Sequence, residues 1–141
     1  MTLLVPGEGE NFFLAAAVTK YTPSTFPTLR LVKTNWTPAI SDAYATVTGA
    51  NEATFTGYSA VLMNTGASWT YTGSNPAVLT YAQQTFTSSV LQATQQIYGY
   101  AVTSVINATN TLVWEERFTD GPYPITNLND AIKITPTITL A

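Results

Sequence analysis

Alternation of apolar and polar residues with a period of two dominates this chain, in runs that are all short. In "TLRLVKTNW", Leu29 and Leu31 fall on one face and Arg30 and Val32 on the other, as in a strand with one side near solvent. "AVLTYAQQTFTSS" sets Val78, Thr80 and Ala82 opposite Leu79, Tyr81 and Gln83. The runs "QQIYGYAVTSVIN" and "TLVWEERFT", joined by the turn "NATN", predict the clearest long hairpin. "YSAVLMN" and "ASWTYTG" flank the glycine-containing "NTGA", a second connection of hairpin length. Near the end, Ile132 and Ile134 alternate with Lys133 and Thr135 until Pro136 interrupts them, which suits an edge strand or a bulge. "YTPSTFP" carries two prolines and reads as a loop, while Ser41-Asp42 could cap one or two helical turns before Gly49. The pattern predicts one all-β domain over residues 1–141. It should be an antiparallel sandwich or barrel of about eight or nine short strands, with at most one short helix.

Composition sharpens that picture. The chain has 26 threonines and only 9% charged residues beside 45% apolar ones, so it can bury a core while its surface stays polar but largely uncharged. The net charge is -3, and the five cations, Lys20, Arg30, Lys33, Arg117 and Lys133, are scattered. A nucleic-acid partner would need a concentrated basic footprint and is not expected. No run approaches the roughly 20 apolar residues of a membrane helix, so no membrane partner is expected either. "MTLLVPGEGE" meets proline, glycine and glutamate too early to form a signal peptide, which points to synthesis in the cytoplasm.

Candidate chemistry is thin. Without histidine or cysteine, Ser/His and Cys/His nucleophiles and thiolate or imidazole metal sites are excluded. The densest charge lies in "LVWEERFTDGPY", residues 112–123. Consecutive strand side chains point oppositely, so Glu115 and Glu116 cannot work as a pair on one face. Strict alternation puts Leu112, Trp114, Glu116 and Phe118 together, opposite Val113, Glu115 and Arg117. Glu116 must then be buried with a partner, unless a bulge shifts the register. Asp120, Asn127, Asn129 and Asp130 match no EF-hand spacing and read as turn residues. Trp36, Trp69, Trp114, Tyr81, Tyr98 and Tyr100 could form a sugar-stacking platform, although aromatics at alternate strand positions more often serve the core. No catalytic set, cofactor or metal is predicted.

Through "LVWEERFTDGPYPI", "AQQTFTSS", "YGYAVT" and "LLVPGEGENFFLAAAV", the chain resembles the small, threonine-rich structural proteins of tailed bacteriophage virions. The resemblance covers roughly residues 2–140 and rests on strand and turn sequences, not catalytic residues. It implies a non-enzymatic decoration or cement protein on the outer capsid surface, bridging subunits of the major capsid protein. Decoration sites lie on symmetry axes, so a homodimer or homotrimer is expected. A carbohydrate- or receptor-binding β-module of the phage surface is the alternative. Within residues 1–9, the apolar arm Leu3, Leu4, Val5 and Pro6 could add to a neighbour's sheet edge, or else form the first strand of this domain. Glu115, Glu116 and Arg117 are expected at an edge or subunit contact, where they would block unwanted pairing or fix the docking register. Deleting residues 1–8 is expected to leave a folded protein that no longer occupies capsids, measured as copies bound per particle.

Overall fold

The alternating runs fold as two long antiparallel ribbons, each bent once. The computed structural model describes residues 25–63, 69–72, 77–106 and 108–140; the arm at residues 1–9 lies outside them. In the first ribbon, β6 (Gln95–Ile97) and β7 (Gly99–Ile106) run against β8 (Thr109–Arg117) and β9 (Tyr123–Ile125). Pairing proceeds from Ile106↔Thr109 to Gly99↔Arg117, then resumes from Ile97↔Tyr123 to Gln95↔Ile125. At the corner, Tyr98 sends its amide to the Val32 carbonyl at 2.8 Å and accepts from the Phe118 amide at 2.9 Å.

The second ribbon sets β4 (Ala77–Tyr81) and β5 (Gln84–Thr87) against β10 (Ala131–Ile134) and β11 (Thr137–Leu140). Its corner falls at Ala82-Gln83 opposite Thr135-Pro136. Proline has no amide to donate, so the ladder breaks there, and the Tyr81 amide bridges the gap to the Pro136 carbonyl at 2.8 Å. Three more strands complete the sheets: β1 (Thr25–Val32), β2 (Val61–Leu62) and β3 (Trp69–Thr72). The sheet orders are β2-β1-β7-β8, β11-β4-β3, β10-β5 and β6-β9, all antiparallel.

The protein is therefore all-β, with eleven described strands rather than eight or nine, because corners split runs that read as continuous in the sequence. The "YTPSTFP" loop expectation also fails at its end: β1 begins at Thr25 and continues through Pro27. Among the described residues, the two runs flanking "NTGA" do not pair with each other as the expected hairpin. β2 pairs with β1, and β3 with β4. The helix is one turn, α1 (Tyr44–Val47), followed by a 3-10 turn at Gly49–Asn51. Asp42 does not cap it; its Oδ2 accepts the Ala39 amide at 2.9 Å, and the helix starts after Ala43. No helix among the described residues is long and apolar enough to cross a membrane.

One core collects side chains from all four sheets, among them Leu29, Leu31, Phe86, Ile97, Val102, Trp114, Ile125, Ile132, Ile134 and Ile138. Each such buried side chain contributes about 1.5–3 kcal/mol. The opposite face of β1, β7 and β8 is covered in part by the segment from Lys33 to Glu52. There Val32, Val47, Ala101 and Leu112 form a second cluster with Trp36 packed on it. Trp36 comes so close to β7 that a Cβ on Gly99 would sit 2.6 Å from its indole ring and 2.2 Å from the Glu116 carbonyl oxygen. The backbone oxygen cannot yield, so Gly99→Ala should destabilise the fold by about 3 kcal/mol, read as a lower urea midpoint.

Candidate functional site

β8 carries the chemistry because of one extra residue. The register against β7 shifts between Val102↔Trp114 and Thr103↔Leu112, leaving Val113 as the surplus residue of a bulge. Val113 and Trp114 both enter the main core, whereas Leu112 belongs to the second cluster on the other face. The strict alternation expected from the sequence is corrected here: Leu112 does not share a face with Trp114. Beyond the bulge, Trp114, Glu116 and Phe118 point inward, and Glu115 and Arg117 point toward Trp36.

Glu115 is fully buried, at 0% exposure. The Trp36 indole Nε1 donates to its Oε2 at 3.2 Å, while Oε1 has no donor. A buried carboxylate oxygen without a donor is costly as an anion. It is satisfied if Oε1 carries the proton and donates it to Asp42. Burial first, and the neighbouring Asp42 second, raise the carboxyl from its ordinary 4.5 to about 8. Arg117 does not neutralise it; Nη1 donates to the Trp36 carbonyl, and the guanidinium lies 5.3 Å from the Tyr98 ring centre. Trp36 is thus held at both its indole and its carbonyl.

Glu116 solves burial differently. It lies directly across from Tyr100 and is 9% exposed. The Tyr100 hydroxyl donates to Glu116 Oε2. Burial, then the adjacent carboxylate, push the Tyr100 hydroxyl far above its ordinary value, so it remains a donor. Oε1 of Glu116 has no donor among the described residues. Both residues form part of the wall of a half-open groove of about 490 Å³ that also involves Phe118, Asp120, Tyr123, Ile125, Asp130, Ile132, Lys133 and Ile134.

Glu115 and Glu116, expected at an edge or subunit contact, are buried within the chain, on a strand that pairs with β7 alone among the described strands. Neither Glu116 nor Arg117 makes an ion pair among the described residues. Among the described residues the ion pair is Arg30–Glu52, in which Nη1 reaches both carboxylate oxygens at 2.9 Å. Tyr58 adds a 2.8 Å bond to Glu52, and Arg30 Nε donates to Thr103 at 3.0 Å. The sequence held no signal for that network beyond Arg30 lying opposite Leu29 and Leu31. Asp130 is a turn residue: its Oδ2 accepts the Thr126 and Asn127 amides at 2.8 and 2.7 Å, which lowers its pKa. Of the rings considered as a sugar platform, Trp114, Tyr81 and Tyr100 are buried, and Trp69 packs edge-on to Tyr81 at 4.8 Å. Leu3, Leu4, Val5 and Pro6 lie outside the described residues.

No family model, curated protein or solved structure matches the chain.

The Glu115 arrangement makes stability depend on pH. Between about 4.5 and 8 the folded chain keeps a proton that the unfolded chain releases. This group's contribution is complete below the lower value and is lost as pH rises through the upper one. Glu115→Gln should flatten that decline, narrowing the stability gap between about pH 5 and about pH 9 by on the order of 3 kcal/mol in urea titrations.

Proposed function

We propose that this chain is a non-enzymatic structural virion protein that binds the outer surface of a bacteriophage capsid and bridges neighbouring subunits as a homodimer or homotrimer. The observation that carries this reading is a rigid apolar tip on two adjoining loops. Val90, Leu91 and Leu128 are 38%, 73% and 57% exposed. Their loops are tied together by Ser88 N to Asp130 O, Asn129 N to Ser88 O and Gln92 N to Thr126 O, at 2.8, 2.9 and 2.8 Å. Ser88 Oγ further donates to the Val90 carbonyl at 2.8 Å and accepts from Gln92 Nε2 at 2.9 Å. Aliphatic side chains held on a fixed backbone lose little entropy on docking and gain from losing water, as the apolar centre of a protein interface does.

The distribution of charge supports the same reading. Glu115, Arg117, Arg30 and Glu52 are buried or engaged within the chain, and Asp130 is turned back onto the Thr126 and Asn127 amides, which leaves the loop tip flanked by Ser89, Gln92, Asn127 and Asn129. Neutral polar neighbours around an apolar centre favour close contact with another protein surface. Capsid shells lacking this protein should take it up on their outer face, with density on the local symmetry axes in an image reconstruction. Replacing Leu91 and Leu128 together by aspartate should lower occupancy at least about tenfold while the urea midpoint stays unchanged. Density confined to the tail, or undiminished occupancy by the double variant, would overturn the assignment.

A further inference from the structure

The groove beside Glu116 is flanked by two strands with free edges. Among the described strands, β9 pairs only with β6, and β10 only with β5. The outer edge of β10 therefore offers backbone amides and carbonyls to an extended segment, whereas β9 has Pro124 at its centre and offers no amide there. Its floor carries Ile125, Ile132 and Ile134, and its aromatic wall includes Phe118 and Tyr123, whose rings meet edge to face at 5.1 Å.

Charge decides what the groove can take. Three carboxylates, Glu116, Asp120 and Asp130, face one ammonium, Lys133. Glu116 is the critical one, because it is nine-tenths buried, has Tyr100 as its described hydrogen-bond partner and makes no described ion pair. Its carboxylate stands in the groove wall with a neutral hydroxyl as its described donor, so a cation brought in from outside would be the first opposite charge it meets. A guanidinium suits the site better than an ammonium. Its planar fork can donate to Glu116 Oε1 while its face rests on an aromatic ring.

We infer that this groove receives an arginine side chain carried on an extended segment of a different protein. The partner is not a second copy of this chain. Arg30 and Arg117 are the only arginines in the sequence, and both are engaged within the fold, one with Glu52 and the other with Trp36 and Tyr98. The groove also adjoins the proposed docking tip, since Asp130 closes the loop that carries Leu128. The inference rests on the reading of this chain as a capsid-binding protein, with the capsid subunit supplying the arginine.

Two measurements test it. Nα-acetylarginine amide titrated into the purified protein should shift the resonances of Tyr100, Phe118 and Tyr123, and the uncharged citrulline analogue should not. Glu116→Gln should weaken this binding at least about tenfold, while Tyr100 keeps an oxygen to donate to. If that variant does not fold, the exposed Asp120→Asn should still weaken arginine. Lys133→Ala should strengthen it, and Lys33→Ala, remote from the groove, should leave it unchanged. Equal response to arginine and citrulline, or a response to a neutral oligosaccharide instead, would overturn the proposal. In the second measurement, full capsid occupancy by Glu116→Gln would refute the groove's role while leaving capsid binding intact. Arginine binding by a protein that ignores capsids would uphold the groove's chemistry and remove the capsid reading.

Discussion

The surplus residue in β8 decides the chemistry of this fold. Side chains on a strand alternate strictly, so inserting one residue exchanges the faces of everything on one side of it. With Val113 as that residue, Leu112 seals the outer cluster while Trp114 and Phe118 fill the main core. The same slip sends Glu116 toward the core and Glu115 toward Trp36. Two adjacent, chemically identical side chains thereby enter separate compartments, and neither stays in water.

Those compartments meet the cost of a buried carboxyl in different ways. Glu115 has one indole donor and a second carboxyl as neighbour, a setting that favours the neutral acid and makes the attachment of Trp36 sensitive to proton activity. Glu116 keeps a tyrosine hydroxyl directly across the ladder. One site is closed on itself and fastens the Lys33–Glu52 segment to the sheet. The other opens on a groove whose lining carries three carboxylates and one ammonium.

How far this was legible in the sequence follows from the range of each interaction. The alternation of Leu29 and Leu31 against Arg30 and Val32, and the β7/β8 hairpin, could be read directly because a strand's own neighbours determine its faces. The bulge could be posed only as an alternative, since nothing in "TLVWEER" marks Val113 as the extra residue. The partners of Glu115 lie 79 and 73 positions away, at Trp36 and Asp42, and only the path of the covering segment brings them there. Splitting of the strands was likewise hidden, because Pro136 announces an interruption but not that the opposing strand bends with it. "NTGA" misled for a related reason: its flanking runs have hairpin spacing, yet each finds a better partner elsewhere in the sheets.

The disposition of charge carries one further step. Arg30 and Glu52 pair with each other and Glu115 and Arg117 are spent on internal contacts, so few charges are left near the tip to steer a partner over long range. Association at the Val90, Leu91 and Leu128 tip would then be slow to start, but once made it would be held by excluded water and a preordered backbone. A surface of that kind selects by shape and by the occasional unmet charge, not by attraction at a distance. In this chain that charge is Glu116, in the wall of the groove beside that tip. A partner that fits the loops but brings no cation would cover Glu116 without an opposite charge, and this is how a surface with few free charges can still discriminate between otherwise similar neighbours.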